Sequence, residues 1–359
     1  MKKSAQKNLD SKSKKIASFD PNGPALSSAN LFGLPFSENE SDIVIVPVPW
    51  EATVSYGGGT AKGPDVIFEA SMQVDLFHPE FPDLWKRGIF MHKVSDTLAK
   101  KSKDARKSAE KIIDALSEGK SVSKDSDLKQ RLAKVNASSL EMINEVHTTC
   151  KELLQQGKLV GLVGGDHSTP LGFIRALAEK YKSFGILQID AHMDLRKAYE
   201  GFTWSHASIM YNALQLDQVK KLVQLGIRDF CKEEADFAEA NRKRISVFTY
   251  ADVAHRRFEG VTWRKQCEAI IDALPEQVYI SFDIDGLDPK LCPNTGTPVA
   301  GGFEFHEITY LLSMLAKSKK KIIGFDLNEV SPGKDDWDGN VGARMLFHLC
   351  GVLAASQKK

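Results

Sequence analysis

No part of this 359-residue chain is apolar for long enough to span a bilayer, so an integral membrane protein is not expected. The opening stretch MKKSAQKNLDSKSKKIAS has no continuous hydrophobic region, which argues against a secretory leader. Cysteine is scarce. Cys150, Cys231, Cys267, Cys292 and Cys350 are scattered, odd in number and never spaced as CxxC. A disulfide framework and a structural zinc site are thereby disfavoured, and a reducing, cytoplasmic setting is expected. Net charge is only +1, so no global field invites nucleic acid. The glycines of VSYGGGTAKGPD are not followed by GK[ST], which removes a P-loop.

What is present is a regular alternation. Hydrophobic residues make up 42% of the chain, enough for one large core. Short runs rich in Val and Ile recur at DIVIVPVPW (from Asp42), LVGLVGGD (Leu159), FGILQIDAH (Phe184), LVQLGIR (Leu222), ISVFTY (Ile245), VYISFDID (Val278) and KIIGFDLNEV (Lys321). They are apolar at odd and even positions alike, as strands covered on both faces must be. Stretches with helical periodicity separate them, including TPLGFIRALAEKYK and FHEITYLLSMLAKSKK. Strand–helix alternation predicts an open, mostly parallel α/β sheet. Residues 1–30 are expected to be a polar, disordered tail, and 31–359 a single domain. Lysine-rich residues 95–135 read as surface helices with some mobile loop, inserted in that domain.

Ligands of open α/β sheets collect at the carboxyl ends of the strands. The run from Leu159 ends in GGDHS and delivers His167. That from Phe184 ends in DAHMD and delivers Asp190, His192 and Asp194. The run from Val278 ends in DID and delivers Asp283 and Asp285. Four carboxylates brought together without cations would repel, and some would have to be protonated at a cost of several kcal/mol. Carboxylate and imidazole without thiolate suit Mn²⁺, Fe²⁺, Co²⁺, Ni²⁺ or Zn²⁺. Six ligands exceed the needs of one ion with an open position and suit two.

These motifs, with SFDIDGLDP, GTPVAGG and GFDLNEV in the same order, resemble the ureohydrolase family of arginases and agmatinases. The resemblance implies a three-layer α/β/α sandwich with about eight strands, a two-ion centre that is usually manganese, and a homo-oligomer, trimer or hexamer. It implies that His167, Asp190, Asp194 and Asp283 hold one ion, and Asp190, His192, Asp283 and Asp285 the other. It also implies hydrolysis of a small guanidino substrate to urea and an amine. His206, in TWSHASIM, matches the family's pocket histidine, with a role in proton transfer. Glu307, in GGFEFHE, matches a glutamate set against the guanidinium. Asp326 and Glu329 read as supporting carboxylates, since the ligand set is complete without them.

The loop after DAHMD lacks the Ser-Gly-Asn run with which arginases grip an amino acid, and Arg196 stands where they have Asn. DLR, YEG and SHAS instead resemble agmatinases, which implies agmatine as substrate and polyamine synthesis as setting. Guanidinobutyrate, guanidine and arginine are the alternatives, with Arg196 as a possible carboxylate anchor. Phe202 and Trp204 are expected beside the pocket. A non-catalytic binding or scaffold role is the competing class, and all six ligands speak against it. A histone-deacetylase-like site would need a different His-His arrangement, which is not found.

Overall fold

In the computed structural model, which describes residues 2–26 and 28–357, eight strands form one all-parallel sheet. They are β1 (Ile43–Val48), β2 (Ile89–Met91), β3 (Leu159–Gly164), β4 (Phe184–Ile189), β5 (Val219–Ile227), β6 (Ile245–Thr249), β7 (Gln277–Asp283) and β8 (Lys321–Asn328), ordered β2-β1-β3-β8-β7-β4-β5-β6. The helices are α1 (Lys2–Ser18), α2 (Gly63–Ser71), α3 (Asp96–Ser117), α4 (Ser126–Gln155), α5 (Leu171–Lys180), α6 (Ile209–Ala213), α7 (Lys232–Ala240), α8 (Tyr250–Phe258), α9 (Trp263–Asp272), α10 (Phe305–Lys317) and α11 (Trp337–Ala355).

Period-two alternation along the strands builds two cores, one on each face of the sheet. Ile43 and Ile45 of β1 join Leu187, Ile189, Ile280 and Phe282 beneath α9, α10 and α11. Val44, Val46 and Val48 join Leu162, Ile186 and Leu222 beneath α4, α5 and α6. Both faces are covered, so this is a three-layer α/β/α sandwich. β2 has no counterpart among the runs read from sequence. Three residues are too few to show periodicity, and β2 exists because β1 offers it an edge.

Residues 95–135 form α3 and the first turns of α4. Ser95 Oγ accepts the Leu98 N–H (3.2 Å) and Asp125 Oδ1 accepts the Asp127 and Leu128 N–H groups, two N-caps that define the helix starts.

The expectation of a disordered tail at 1–30 needs correcting. Met1 and Ser27 lie outside the described residues, but α1 lies against the body of the protein. Lys15 Nζ reaches Glu40 Oε2 (2.6 Å) and the Pro35 carbonyl (2.8 Å), Lys12 Nζ reaches Asp42 Oδ1 (2.8 Å), and Ser11 Oγ donates to Glu40 Oε1 (2.6 Å). Ile16 and Phe19 pack on the core, Phe19 with its ring 5.4 Å from that of Trp85. The composition is polar, but Lys12 and Lys15 each meet a carboxylate. Among the described residues no helix is long and apolar enough to cross a membrane.

Candidate metal centre

The sheet order makes β3, β8, β7 and β4 consecutive, so the four segments that leave their carboxyl ends are neighbours. Beyond β3, Gly165 crosses Trp50 so closely that a Cβ would lie 2.0 Å from the Trp50 carbonyl oxygen, and the chain then presents His167. Beyond β4, the His192 N–H donates to Asp190 Oδ1 (2.6 Å), and Asp194 takes a left-handed φ of +54°. At the end of β7, Asp283 Oδ1 accepts the Asp285 N–H (2.9 Å). These local turns gather the six side chains at the same end of the sheet, and the left-handed residue is the kind of strain that surrounding structure must hold in place.

Two trios of ligand atoms result, His167–Asp190–Asp283 and Asp190–His192–Asp285, with Asp190 common to both. His167 Nδ1 lies 3.0 Å from Asp190 Oδ2, 3.1 Å from Asp194 Oδ2 and 3.3 Å from Asp283 Oδ2. His192 Nδ1 lies 3.0 Å from Asp285 Oδ2 and 3.6 Å from Asp190 Oδ1. His167 Nε2 is 2.9 Å from Ser281 Oγ, which donates to Asp326 Oδ1 (3.1 Å), so the ring is oriented from behind with Nδ1 toward the carboxylates. Gln188 Nε2 donates to Asp190 Oδ2 (2.8 Å), and Gln224 Nε2 donates to Gln188 Oε1 (2.7 Å). These buried glutamines hold the shared carboxylate. Their signal in the sequence is a polar residue inside an apolar run, as in LQI and LVQLG.

The electrostatics show what the cluster lacks. Burial, then the charge of Asp285 and Asp190, pushes the Asp283 carboxyl well above its usual range. Burial and Asp190 push Asp194 up to about 7. Burial alone would lower both imidazoles, but the surrounding carboxylates raise His167 and His192 well above the ordinary histidine value. Arg228, whose guanidinium donates to the Asp285 carbonyl (2.6 Å), is the cationic side chain whose charge acts on Asp285, Asp190 and Asp283, and the raised Asp283 and Asp194 show that it and the imidazoles leave the carboxylates under-compensated. His167 Nδ1 and Asp285 Oδ2 are buried and make no hydrogen bond. An orphaned nitrogen in one trio and an orphaned oxygen in the other, in a set without thiolate, fit a pair of divalent cations.

The arginase-family model matches residues 41–351. The chain belongs to the arginase family. It is 31% identical to the N(1)-aminopropylagmatine ureohydrolase of Thermococcus kodakarensis over 87% of this chain and 90% of the relative. It is 30% identical to the agmatinase of Bacillus anthracis over 87% of this chain and 91% of that one. The agmatine ureohydrolase of Thermoplasma volcanium superposes with a TM-score of 0.68 over 96% of this chain and 99% of that one, at 23% identity, a likeness of fold.

Not every residue that resembles the arginase family's site stands in it. Glu307 sits in the first turn of α10. Its Oε1 is paired with Arg257, its Oε2 accepts the Glu304 N–H (3.0 Å), and its carbonyl accepts from Trp263 Nε1 (2.9 Å). It caps the helix, and the structure does not bring it to the cluster. Glu329 does stand there. It is buried directly after β8 with a left-handed φ of +64°, its Oε1 accepts the His167 N–H (2.9 Å), and its Oε2 has no partner. Burial and the neighbouring Asp166 push its carboxyl well above the usual range. The bond to His167 is a supporting contact, as the sequence reading has it, and the second oxygen is left over.

A cavity of about 150 Å³ opens onto the cluster, lined by His192, Asp194, Arg196, Tyr199, His206 and Asp229 among others. His206 Nδ1 is 3.5 Å from Thr53 Oγ1. Burial and the nearby imidazoles lower its pKa to about 3, so the ring is neutral. Arg196 Nε is 3.6 Å from Glu234 Oε2 and its guanidinium lies 4.8 Å from the centre of the Tyr199 ring. Phe202 and Trp204 are not where the sequence reading puts them. Phe202 is fully buried between α3 and α4, and Trp204 lies under Arg175 with 5.2 Å between the groups. Tyr199 and Phe230 supply the aromatic wall instead.

Proposed function

We propose that this chain hydrolyses a guanidino compound with a cationic tail, agmatine first, to urea and the free amine. The observation that carries this reading is the pair of ligand trios sharing Asp190. His167, Asp190, Asp194 and Asp283 would hold one ion, and Asp190, His192, Asp283 and Asp285 the other, with manganese the proposed metal. Two divalent ions, when bound, lower the pKa of a shared water until it is a nucleophile at neutral pH.

The chain's own groups do the rest. Glu329 Oε2, the free carboxylate oxygen beside His167, accepts N–H bonds from the guanidinium and sets its plane against the cluster. The water oxygen bonds to the guanidinium carbon, and Asp194, which lines the cavity beside His192, takes up the proton released. The carbon–nitrogen bond to the tail then breaks. His206, which lines the cavity, relays a proton to the departing amine. Arg196 lies beside Glu234, with 3.6 Å between its Nε and Glu234 Oε2, and over Tyr199, so its charge is partly answered before a substrate carboxylate could use it. Asp229, exposed at the cavity rim, remains to meet a cationic tail. A longer, aminopropyl-bearing tail is the second reading, favoured by the opening of the cavity at Asp229 and Phe230 and by the name of the Thermococcus relative.

Urea release from agmatine, aminopropylagmatine, guanidinobutyrate, arginine and guanidine, with Mn²⁺ supplied, tests the reading. Preference for a cationic tail is expected. Preference for guanidinobutyrate would refute the role given to Arg196, and no urea from any of them would refute the reaction and leave the scaffold class. The five unpaired cysteines support a reducing cytoplasm as the place of action. The exposed Phe77 and Phe258 support a homo-oligomer, which a sedimentation measurement would size as trimer, hexamer or neither.

A further inference from the structure

Residues 95–135 carry none of the site motifs, yet α3 and α4 touch the site loops repeatedly. The segment from Arg196 to His206 turns tightly at Glu200 and Gly201, which take φ of +55° and +89°. Tyr199 and Phe202 exchange backbone hydrogen bonds across that turn, at 3.2 and 2.8 Å. Just beyond it, Phe202 is fully buried among Ala109, Ile112 and Ala115 of α3 and Leu128 and Val135 of α4. Asn136 of α4 grips the backbone on either side of Phe202. Its Nδ2 donates to the Gly201 carbonyl (3.3 Å) and its Oδ1 accepts the Thr203 N–H (3.0 Å). Leu132 packs so closely that a Cβ on Gly201 would lie 3.0 Å from it.

On the site side of the turn, Tyr199 meets the His206 ring edge-on at 6.0 Å and lies under Arg196. α3 also holds the opposite wall. Arg106 donates to the Val54 carbonyl, next to the Thr53 that approaches His206, and Ser102 Oγ accepts the Glu51 N–H (3.0 Å). His206 thus stands between two loops, one tied to α3 and the other to both α3 and α4. We propose that the α3–α4 pair positions His206 and Tyr199 for the reaction, with Phe202 as its plug and Asn136 as its clamp. Both are positioning residues, since neither lines the cavity. A stack of aromatic and amide contacts fixes a loop more tightly than loop backbone alone, and small displacements of a proton-transfer group are costly.

The inference rests on the guanidino-hydrolase reading, and the experiment separates the two. Asn136→Ala, Phe202→Ala and Phe202→Leu are compared with the unaltered, Mn²⁺-loaded chain. Asn136→Ala should lower kcat/KM about tenfold and Phe202→Ala about a hundredfold, mainly through kcat, while the bound-metal content stays unchanged. Phe202→Leu should recover to within about threefold of the unaltered chain, since it refills most of the plug. Amide hydrogen exchange over residues 197–206 should quicken at least about tenfold in Asn136→Ala, with β3 and β4 unaffected. Unchanged loop exchange in Asn136→Ala, or kcat/KM within about twofold of the unaltered chain, would overturn the proposal. Should Phe202→Ala fail to fold, Asn136→Ala and Phe202→Leu carry the test. An unaltered chain inactive on every guanidino compound would refute the functional reading, while the exchange measurement would still decide the clamp.

Discussion

The first turn of α10 and the exit from β8 each present a glutamate that follows a site motif in the sequence, and the fold treats them in opposite ways. Glu307 is a quarter exposed, pairs with Arg257 and closes the cap of α10. Glu329 is buried, holds a left-handed backbone angle, and keeps one oxygen without a partner. A carboxylate whose lone pairs serve the fold is not available to a substrate. One that is buried and left incomplete is destabilising unless a ligand completes it. Availability of hydrogen-bonding capacity, more than nearness in sequence to a motif, separates the two.

The most drastic way to break this comparison is to remove the floor on which Glu329 stands. Asp190→Ala deletes the ligand common to both trios and should lose both ions and more than about 10³-fold in activity, measured by elemental metal analysis and urea release. Two ions retained in that variant would refute the shared ligand. Glu329→Gln comes next. It should cost about 10²-fold in kcat/KM with metal content unchanged, the scale of losing one preorganised electrostatic contact. Glu307→Gln should leave kcat/KM within about threefold and lower Tm by about 2 °C, since a part-exposed ion pair contributes about 1 kcal/mol. If the two glutamine variants exchanged these effects, the assignment would be inverted.

The smallest effect lies furthest from the site. Burial would raise the Glu40 carboxyl, but hydrogen bonds from Lys15, Ser11 and Ser37 outweigh it and bring it from 4.5 to about 2. A carboxyl lowered on folding stabilises above its unfolded value, and that stabilisation is lost as pH falls from about 4.5 through about 2. Glu40→Gln should therefore be less stable than the unaltered chain at pH 7, and the two should converge near pH 2 in denaturant titrations. A gap that persists unchanged at low pH would mean that Glu40 does not hold α1 through its charge.

The comparison also marks how far the sequence could be read. The seven longer strands were visible because each is a Val- and Ile-rich run, and the six metal-ligand candidates because they close three of those runs at short spacing. β2 was not, because three residues carry no period and depend on the edge of β1. The docking of α1 was hidden because its partners, Asp42, Glu40 and the Pro35 carbonyl, are contributed by a later segment whose path a local pattern does not reveal. Gln188 and Gln224 were readable only as polar interruptions of apolar runs, with no sign that they support Asp190.

By itself, the sequence determined the alternation of covered strands and helices, the residue types of a two-cation centre and where each leaves its strand. These are local matters of side-chain period and turn chemistry. The tertiary structure decided which glutamate remains free, that Arg196 stands beside Glu234, and that Phe202 leaves the pocket for a cleft between α3 and α4. Each of those outcomes depends on a partner distant in the chain. The order β3-β8-β7-β4, which joins strand ends far apart in sequence, is what brings such partners within bonding range.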